Sequence, residues 1–260
     1  MSHSMLDNYL NLSNRDKAVM VGLFLSKYDR KALDILGFSS FIEAFNILGY
    51  SLQVSPNSVK NYRDEFDPYY PNNRKGWHHR EILHYCKSIM ETADNLSFET
   101  FYHIVNAFFF DVPVDFNDIK NDDTNTNKRL FSANRMLTGK AAEEYFVLNY
   151  KTIPHFQNYR LTDTTNIGCG FDYKLSLNDS NFYVEVKGIN ESEGGILMTE
   201  KEHMMAEILT ERYCLFVVSN FRKVPVHQMF FDPLHDPNLS FQRQQRQIIQ
   251  TEYSAVIPKT

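Results

Sequence analysis

Helical periodicity dominates the first 110 residues, whereas alternating strand-like runs occur in the second half of the chain. The segment AVMVGLFLSKY is a buried-looking helix that follows Ser13 and Asp16, two residues suited to a helix N-terminus. KALDIL ends at Gly37, and SSFIEAFNIL opens with serine caps and closes at Gly49. The pattern therefore predicts an all-helical N-terminal part.

A third helix, SPNSVKNYRDEF, follows the second after a short turn. Ser55 stands at its cap and Pro56 at its first helical position, where the missing N–H costs nothing. Two short helices in this relation match the helix-turn-helix pattern, in which the second helix lies in the DNA major groove. Its polar side chains are of types that contact bases and phosphates, and they are Asn57, Ser58, Lys60, Asn61 and Arg63.

Basic residues surround the single tryptophan in the next segment, RKGWHHR. Arg74, Lys75 and Arg80 interleaved with an aromatic ring suit a phosphate backbone. Two other interpretations stay open: the short helices form a small bundle of mixed surface charge, or RKGWHHR is a solvated loop anchored by Trp77.

Composition changes at DVPVDFNDIKNDDTNTNK, which has turn-forming residues and almost no apolar period. We place a domain boundary there. The predicted organisation is a helical, DNA-binding domain over residues 1–112, a linker over 113–127 and a second domain over 128–260.

The second half starts with NKRLFSANRMLTGKAAEEYFVLNY, which is predicted to form one or two helices. FDYKLSL and FYVEVKG then alternate in polarity around the turn-forming NDSN, so they predict a β-hairpin. Because side chains alternate along a strand, Tyr183, Glu185 and Lys187 share one face. MTEKEHMMAEILTERY predicts a helix with a capping box, and LFVVS a buried strand. A helix between two strands implies a right-handed crossover and parallel pairing.

Composition sets few limits on function. A net charge of −5 and a pI of about 6.0 do not mark a general nucleic-acid binder, although a local basic face stays open. Three widely spaced cysteines suggest neither a disulfide framework nor a CxxC metal site. The chain has no apolar run long enough to span a bilayer and no basic-then-apolar leader, so we expect a cytoplasmic protein without a membrane partner.

The hairpin carries the residue types needed for metal-dependent phosphodiester hydrolysis. Magnesium prefers hard oxygen ligands, often one or two carboxylates, and paired strands would bring Asp172 close to Glu185. Lys187 projects from the same face as Glu185 and could orient water or offset developing negative charge. The [DE]xK pattern also begins at Asp29, Asp118 and Asp172; the first two lie in polar surroundings without a second strand-borne acid, whereas Glu185-Val-Lys187 lies within an apolar strand. The other interpretation is that Glu185 and Lys187 form the solvated face of the hairpin.

Four segments, TGKAAEEYF, GFDYKL, FYVEVKG and MTEKEHMMA, resemble in order the motifs of the NO VEIN C-terminal-like nuclease domain. That family is a branch of the PD-(D/E)XK superfamily, often found in restriction and other anti-phage proteins. The resemblance covers roughly residues 128–220 and implies an α/β fold, with a restriction-endonuclease-like mixed sheet flanked by helices. Ala142 stands where the family pattern often has a second glycine.

The resemblance also implies roles for individual residues and a cofactor. Asp172 and Glu185 would hold Mg²⁺, Lys187 would be the catalytic cation, and Glu143 an accessory acid on the preceding helix. Glu202 falls on the family's later acid and also has capping-box spacing.

The N-terminal segment from SPNSVKNY to RKGWHHRE is similar to a module associated with the same nuclease-domain proteins, over roughly residues 13–110. The combined expectation is a magnesium-dependent endonuclease of the type II restriction class that acts on double-stranded DNA as a homodimer. The alternatives are a non-catalytic DNA-binding or regulatory protein with a nuclease-like fold, and a repair or toxin nuclease.

Overall fold

The computed structural model describes residues 8–72, 74, 80–110 and 124–245, without the side chains of 124–132. Its N-terminal part is helical, as the pattern predicts. The helices there are α1 (Asn14–Leu36), α2 (Phe41–Ser51), α3 (Pro56–Phe66), α4 (His84–Ala93) and α5 (Phe98–Ala107), with a 3₁₀ turn at Asp67–Tyr69.

The predicted helix ends are confirmed for α1. The Ser13 side chain accepts a hydrogen bond from the Asp16 N–H, and Gly37 ends the helix with a φ of 75°. α1 is bent at Asp29, whose backbone angles of 47° and −123° are not helical. Gly22 lets α1 approach α3 closely, because a Cβ there would lie only 2.6 Å from the Cβ of Tyr62.

The second part is a five-stranded mixed sheet with helices on both faces. Its helices are α6 (Thr124–Asn149) and α7 (Glu200–Leu209), with 3₁₀ turns at Tyr150–Thr152 and Thr210–Arg212. The strands are β1 (Arg160–Asp163), β2 (Tyr173–Leu177), β3 (Ser180–Gly188), β4 (Tyr213–Ser219) and β5 (Val226–Phe231), in the spatial order β1-β2-β3-β4-β5.

The strand pairing follows from the connections. β2 and β3 form the predicted antiparallel hairpin, and β3 pairs with β4 in parallel across the α7 crossover, as predicted. β1 and β5 add antiparallel edge strands that the sequence pattern did not indicate. A mixed sheet flanked by helices, preceded by a helical region, is consistent with the restriction-endonuclease-like arrangement.

Helix α6 covers one face of the sheet. The ring of Phe146 lies 4.8 Å from that of Phe216 and 5.2 Å from that of Tyr173, measured between centroids. Close approach to β3 depends on Gly188, since a Cβ at this position would lie 2.5 Å from the carbonyl oxygen of Thr138. α7 packs on the opposite face through a smaller apolar cluster that includes Ala206, Leu209 and Tyr213.

The helical part and the sheet are joined by buried polar contacts. Asn46 of α2 donates to the carbonyl oxygens of Phe221 and Lys223, both at 2.7 Å. The nearly buried Glu43 accepts a 2.5 Å hydrogen bond from Asn190, which follows β3. α2 therefore contacts the loops that leave β3 and β4.

The predicted linker is only partly described. Residues 111–123 lie outside the described part, and α6 begins at Thr124, inside the predicted linker. The division into two domains at 113–127 stays a prediction. Within the described residues no single helix could cross a membrane by length and composition, although α1 and α2, which meet at 82°, pass that test as a bent pair.

Candidate active site

Asp172 lies where β2 and β3 begin to separate. Its backbone N–H donates to the Val184 carbonyl at 2.9 Å. Its carboxylate oxygen Oδ2 then accepts the N–H of Val186 at 2.8 Å, so the side chain replaces the next backbone partner of β3. The Thr164 hydroxyl and N–H both donate to the Asp172 carbonyl, at 2.9 and 2.8 Å. These bonds hold the carboxylate at the end of the β2–β3 ladder.

Glu185 and Lys187 lie on the α7 face of β3, while Val184 and Val186 face the α6 core. Only 3% of Glu185 is exposed. The interpretation of this face as the wet side of a two-stranded hairpin is therefore wrong, because β4 extends the sheet and α7 covers it.

The Lys187 ammonium lies between two carboxylates. It contacts Glu185 Oε1 and donates to Glu202 Oε2 at 2.8 Å. The same Glu202 oxygen accepts the Thr199 N–H at 3.0 Å, and the Glu202 N–H donates to the Thr199 hydroxyl at 3.2 Å. This is the predicted capping box of α7.

Burial and like charge disfavour ionisation of the acids at this end of the sheet. Burial raises the pKa of Glu185 to about 8, and the Asp172 charge adds to the effect. Burial likewise raises the pKa of Asp172, against the opposing effects of the Val186 N–H and Lys187. Burial would by itself lower the pKa of Lys187, but its contacts with Glu185 and Glu202 raise it.

Glu143 reaches the same region from α6. Burial raises its pKa to about 7, and the charge of Asp172 is the next largest cause. Asp163, at the end of β1, adds to the negative field at both Glu143 and Asp172. The sequence pattern did not identify Asp163, and the one available signal was its place in the polar stretch TDTT, where its carboxylate accepts the N–H of Thr165 at 2.9 Å.

The oxygen donors at this site suit a hard divalent cation that takes only one or two ligands from the protein. Among the described residues no three or more His, Cys, Asp or Glu form a group with metal-binding geometry. Mg²⁺, however, keeps several waters and commonly takes only one or two carboxylates. Asp172 and Glu185 supply hard oxygens, and a bound cation would offset the burial and, after it, the like charge that raise their pKa values.

A comparison with known protein families gives a match over the part of the chain that carries this site. Residues 142–231 match the family model described as Protein NO VEIN, C-terminal. That family is linked to nuclease-like domains. The NO VEIN match runs from α6 to the end of β5, so Glu143, Asp172, Glu185 and Lys187 all lie within it, while α1 to α5 lie outside it. No curated protein and no solved structure matches the chain.

The predicted DNA-contacting residues divide into two groups. Asn57, Lys60 and Asn61 are exposed on α3, and Ser58 is half-buried beside them. The structure brings these four together on one short helix that follows α2 after a four-residue turn, and the helix-turn-helix interpretation stays a prediction.

The arginines of the second group already have acidic partners inside the fold. Arg63 is buried against Asp64. Arg74 donates twice to Asp67, each time at 2.8 Å, and Arg80 binds both oxygens of Glu65 at 2.8 and 2.9 Å. Such pairing ties the segment after α3 back to the helices. Lys75 lies outside the described residues.

Replacing Glu143 with glutamine is expected to raise the free energy of unfolding of the metal-free protein at alkaline pH by about 3 kcal/mol. The carboxyl titrates at about pH 7 when folded and near 4.5 ordinarily. Between these values the folded state binds more protons, so wild-type stability falls as the pH rises. Glutamine resembles the protonated acid, and the difference should vanish in acid.

Urea unfolding from about pH 4 to pH 8 measures this difference. The control is Glu207→Gln, which removes an exposed carboxylate from α7 and should leave stability unchanged across the range. Equal stability of wild type and Glu143→Gln at the alkaline end would contradict the assignment of a buried, crowded carboxyl.

Proposed function

We propose that this chain is a magnesium-dependent DNA endonuclease of the site-specific, type II restriction class. The observation that carries the proposal is the convergence of Asp172, Glu185 and Lys187 where β2 and β3 separate. The NO VEIN C-terminal match over this region supports a nuclease-like role. Two carboxylates and an ammonium in one partly enclosed place are what phosphodiester hydrolysis requires.

Asp172 and Glu185 would hold the cation. When bound, a divalent ion supplies Lewis acidity toward a phosphoryl oxygen and makes water more acidic. The protein contributes fixed positions for the two carboxylates: the N–H of Val186 binds one oxygen of Asp172, and the strands on either side of β3 enclose Glu185. Little reorganisation is then needed when DNA arrives.

Lys187 provides the positive charge next to the reacting phosphate. Its raised pKa keeps it protonated at neutral pH, so its role is to donate hydrogen bonds to a phosphate oxygen or an attacking water and to offset developing negative charge. Glu143, with a pKa of about 7, can exchange a proton near neutral pH and serves as the accessory acid.

The helical part would hold the duplex. The exposed face of α3, with Asn57, Lys60 and Asn61, is our candidate for contact with double-stranded DNA. A homodimer is expected for a symmetric recognition site, because each strand then meets its own active site.

Lys60→Glu is expected to weaken DNA binding about tenfold at moderate salt. It should also reduce the slope of log K against the logarithm of the salt concentration by about one, the amount expected for one lost phosphate contact. The Lys60 side chain is half exposed, and its ion pair with Asp64, at 3.4 Å, leaves the ammonium open to solvent. Fluorescence anisotropy with labelled duplex at several salt concentrations measures both quantities.

The control is Lys87→Glu, the same charge change at an exposed position of α4. It should weaken binding less and leave the salt slope nearly unchanged. Equal losses for the two variants would move the DNA-contacting surface away from α3.

Plasmid and phage DNA incubated with the purified protein, with Mg²⁺ or with a chelator, test the function. Discrete bands that require Mg²⁺ support a site-specific endonuclease. A smear supports DNA cleavage but favours a repair-like or toxin-like nuclease over a site-specific restriction endonuclease. Intact DNA with Mg²⁺, Mn²⁺ and other divalent ions overturns the enzyme and favours a non-catalytic DNA-binding protein.

A further inference from the structure

Glu202 makes two contacts, and only one of them is needed to cap a helix. One carboxylate oxygen, Oε2, accepts both the Thr199 N–H at 3.0 Å and the Lys187 ammonium at 2.8 Å. The first contact stabilises the start of α7. The second reaches across to β3 and is not part of any capping motif.

The place of Glu202 is fixed from two sides. The capping box holds its carboxylate against the first turn of α7. α7 in turn packs on the segment before Asp172: a Cβ on Gly170 would lie 2.9 Å from the Lys201 carbonyl oxygen, and Gly170 has a φ of +91° that favours glycine. The Tyr213 hydroxyl donates to the Gly170 carbonyl at 3.1 Å. Glu202 thus belongs to the same packed unit as Asp172.

Lys187 depends on its two carboxylates in different ways. Its side chain is only 19% exposed, so an ammonium without a partner there would be costly. In the proposed reaction Glu185 also binds the divalent cation, and its charge is then no longer available to Lys187 alone. Glu202 is held by α7 and stays in place.

We propose that Glu202 is the positioning residue for Lys187 and keeps its ammonium at the reaction centre while Glu185 binds the divalent cation. The inference rests on the proposed function of Asp172, Glu185 and Lys187. It assigns Glu202 no contact with DNA or with the cation. Its effect on the reaction is exerted through Lys187.

Glu202→Gln separates the two contacts. A capping box accepts glutamine as well as glutamate at this position, so α7 keeps its cap, whereas Lys187 loses its second negative charge. The expected result is a kcat for Mg²⁺-dependent cleavage about 30-fold lower, since small displacements of a catalytic group have effects of this order. KM for DNA should change by no more than about twofold, because the lost interaction is not used in substrate binding.

The matched control is Glu200→Gln, the same change at an exposed position in the first turn of the same helix. It should cleave at the wild-type rate. Circular dichroism melting curves that agree between the two variants show that α7 is intact in both.

A second readout does not depend on cleavage. Lysine ammonium groups held in hydrogen bonds exchange slowly with water and give ¹H–¹⁵N signals, and the signal of Lys187 is identified by its absence in Lys187→Ala. In wild type it should persist when Mg²⁺ is added without DNA. In Glu202→Gln it should be lost when Mg²⁺ is added.

The outcomes distinguish this inference from the function on which it rests. Wild type that cleaves, together with Glu202→Gln that cleaves equally well or keeps its ammonium signal in Mg²⁺, overturns the role of Glu202 and leaves the nuclease in place. Equal loss of kcat in Glu200→Gln also overturns it, because the effect would then come from charge at the helix start. Wild type that cleaves with no divalent ion overturns the proposed function itself.

Discussion

Glu185→Gln should cleave DNA at least about 1000-fold more slowly than wild type while binding it with unchanged affinity. The substitution keeps the shape of the side chain and removes the charge that would hold the divalent cation. Lys187→Ala should cause a loss of the same order, since among the described residues no other lysine or arginine contacts Glu185.

The loss should not come from unfolding. Glu185 is buried and its pKa is raised to about 8, so its ionisation opposes folding at neutral and alkaline pH. Glu185→Gln should therefore melt no lower than wild type in the metal-free state at those pH values. An ionisable residue that destabilises the metal-free protein is typical of residues that are retained for function.

Single-turnover cleavage assays, with DNA affinity from anisotropy and melting curves from circular dichroism, measure the three quantities. Glu207→Gln, on the exposed side of α7, is the control for loss of a carboxylate. If either Glu185→Gln or Lys187→Ala cuts at the wild-type rate, the active site lies elsewhere.

Gly188→Ala should lower the free energy of unfolding by about 3 kcal/mol and reduce cleavage strongly. The new Cβ would lie 2.5 Å from the Thr138 carbonyl oxygen and 3.1 Å from the Ala142 Cβ. A backbone oxygen within a helix cannot turn aside, so α6 and β3 must move apart. This shift displaces Lys187, the preceding residue, and Glu143, which follows Ala142 on α6.

Gly139→Ala is the matched control on the facing helix. A Cβ at this position meets no atom within 4 Å, and alanine favours helix, so stability should rise by up to about 1 kcal/mol. Urea unfolding and plasmid cleavage of both variants test the contact. A Gly188→Ala protein with wild-type stability would show that α6 does not approach β3 as closely as described.

The same contact accounts for the small residue at position 142 of α6. The Ala142 Cβ fits because its neighbour across the contact is Gly188, which has none. The small residue needed between the helix and the strand is therefore present on the strand side.

Local pattern was sufficient for the elements that carry the site. Alternation in FDYKLSL and FYVEVKG predicted the hairpin, and Thr199 with Glu202 predicted the start of α7. Each of these signals is formed by residues that are close together in the sequence. The sequence pattern missed the edge strand β5, because the preference of its residues for a strand depends on their pairing and packing against β4. β1 was missed because it is four residues long and mostly exposed.

What the sequence determined by itself about this protein is therefore the order of its helices, the β2–β3 hairpin, the buried strand β4 and the face that Glu185 shares with Lys187. Only the tertiary structure decided that this face is enclosed, that Glu202 holds Lys187, and that Arg63 is buried against Asp64 while Lys60 stays exposed. The reason is physical. Periodicity records which side of an element a residue is on, but burial, ion pairing and pKa depend on what another part of the chain places against that side.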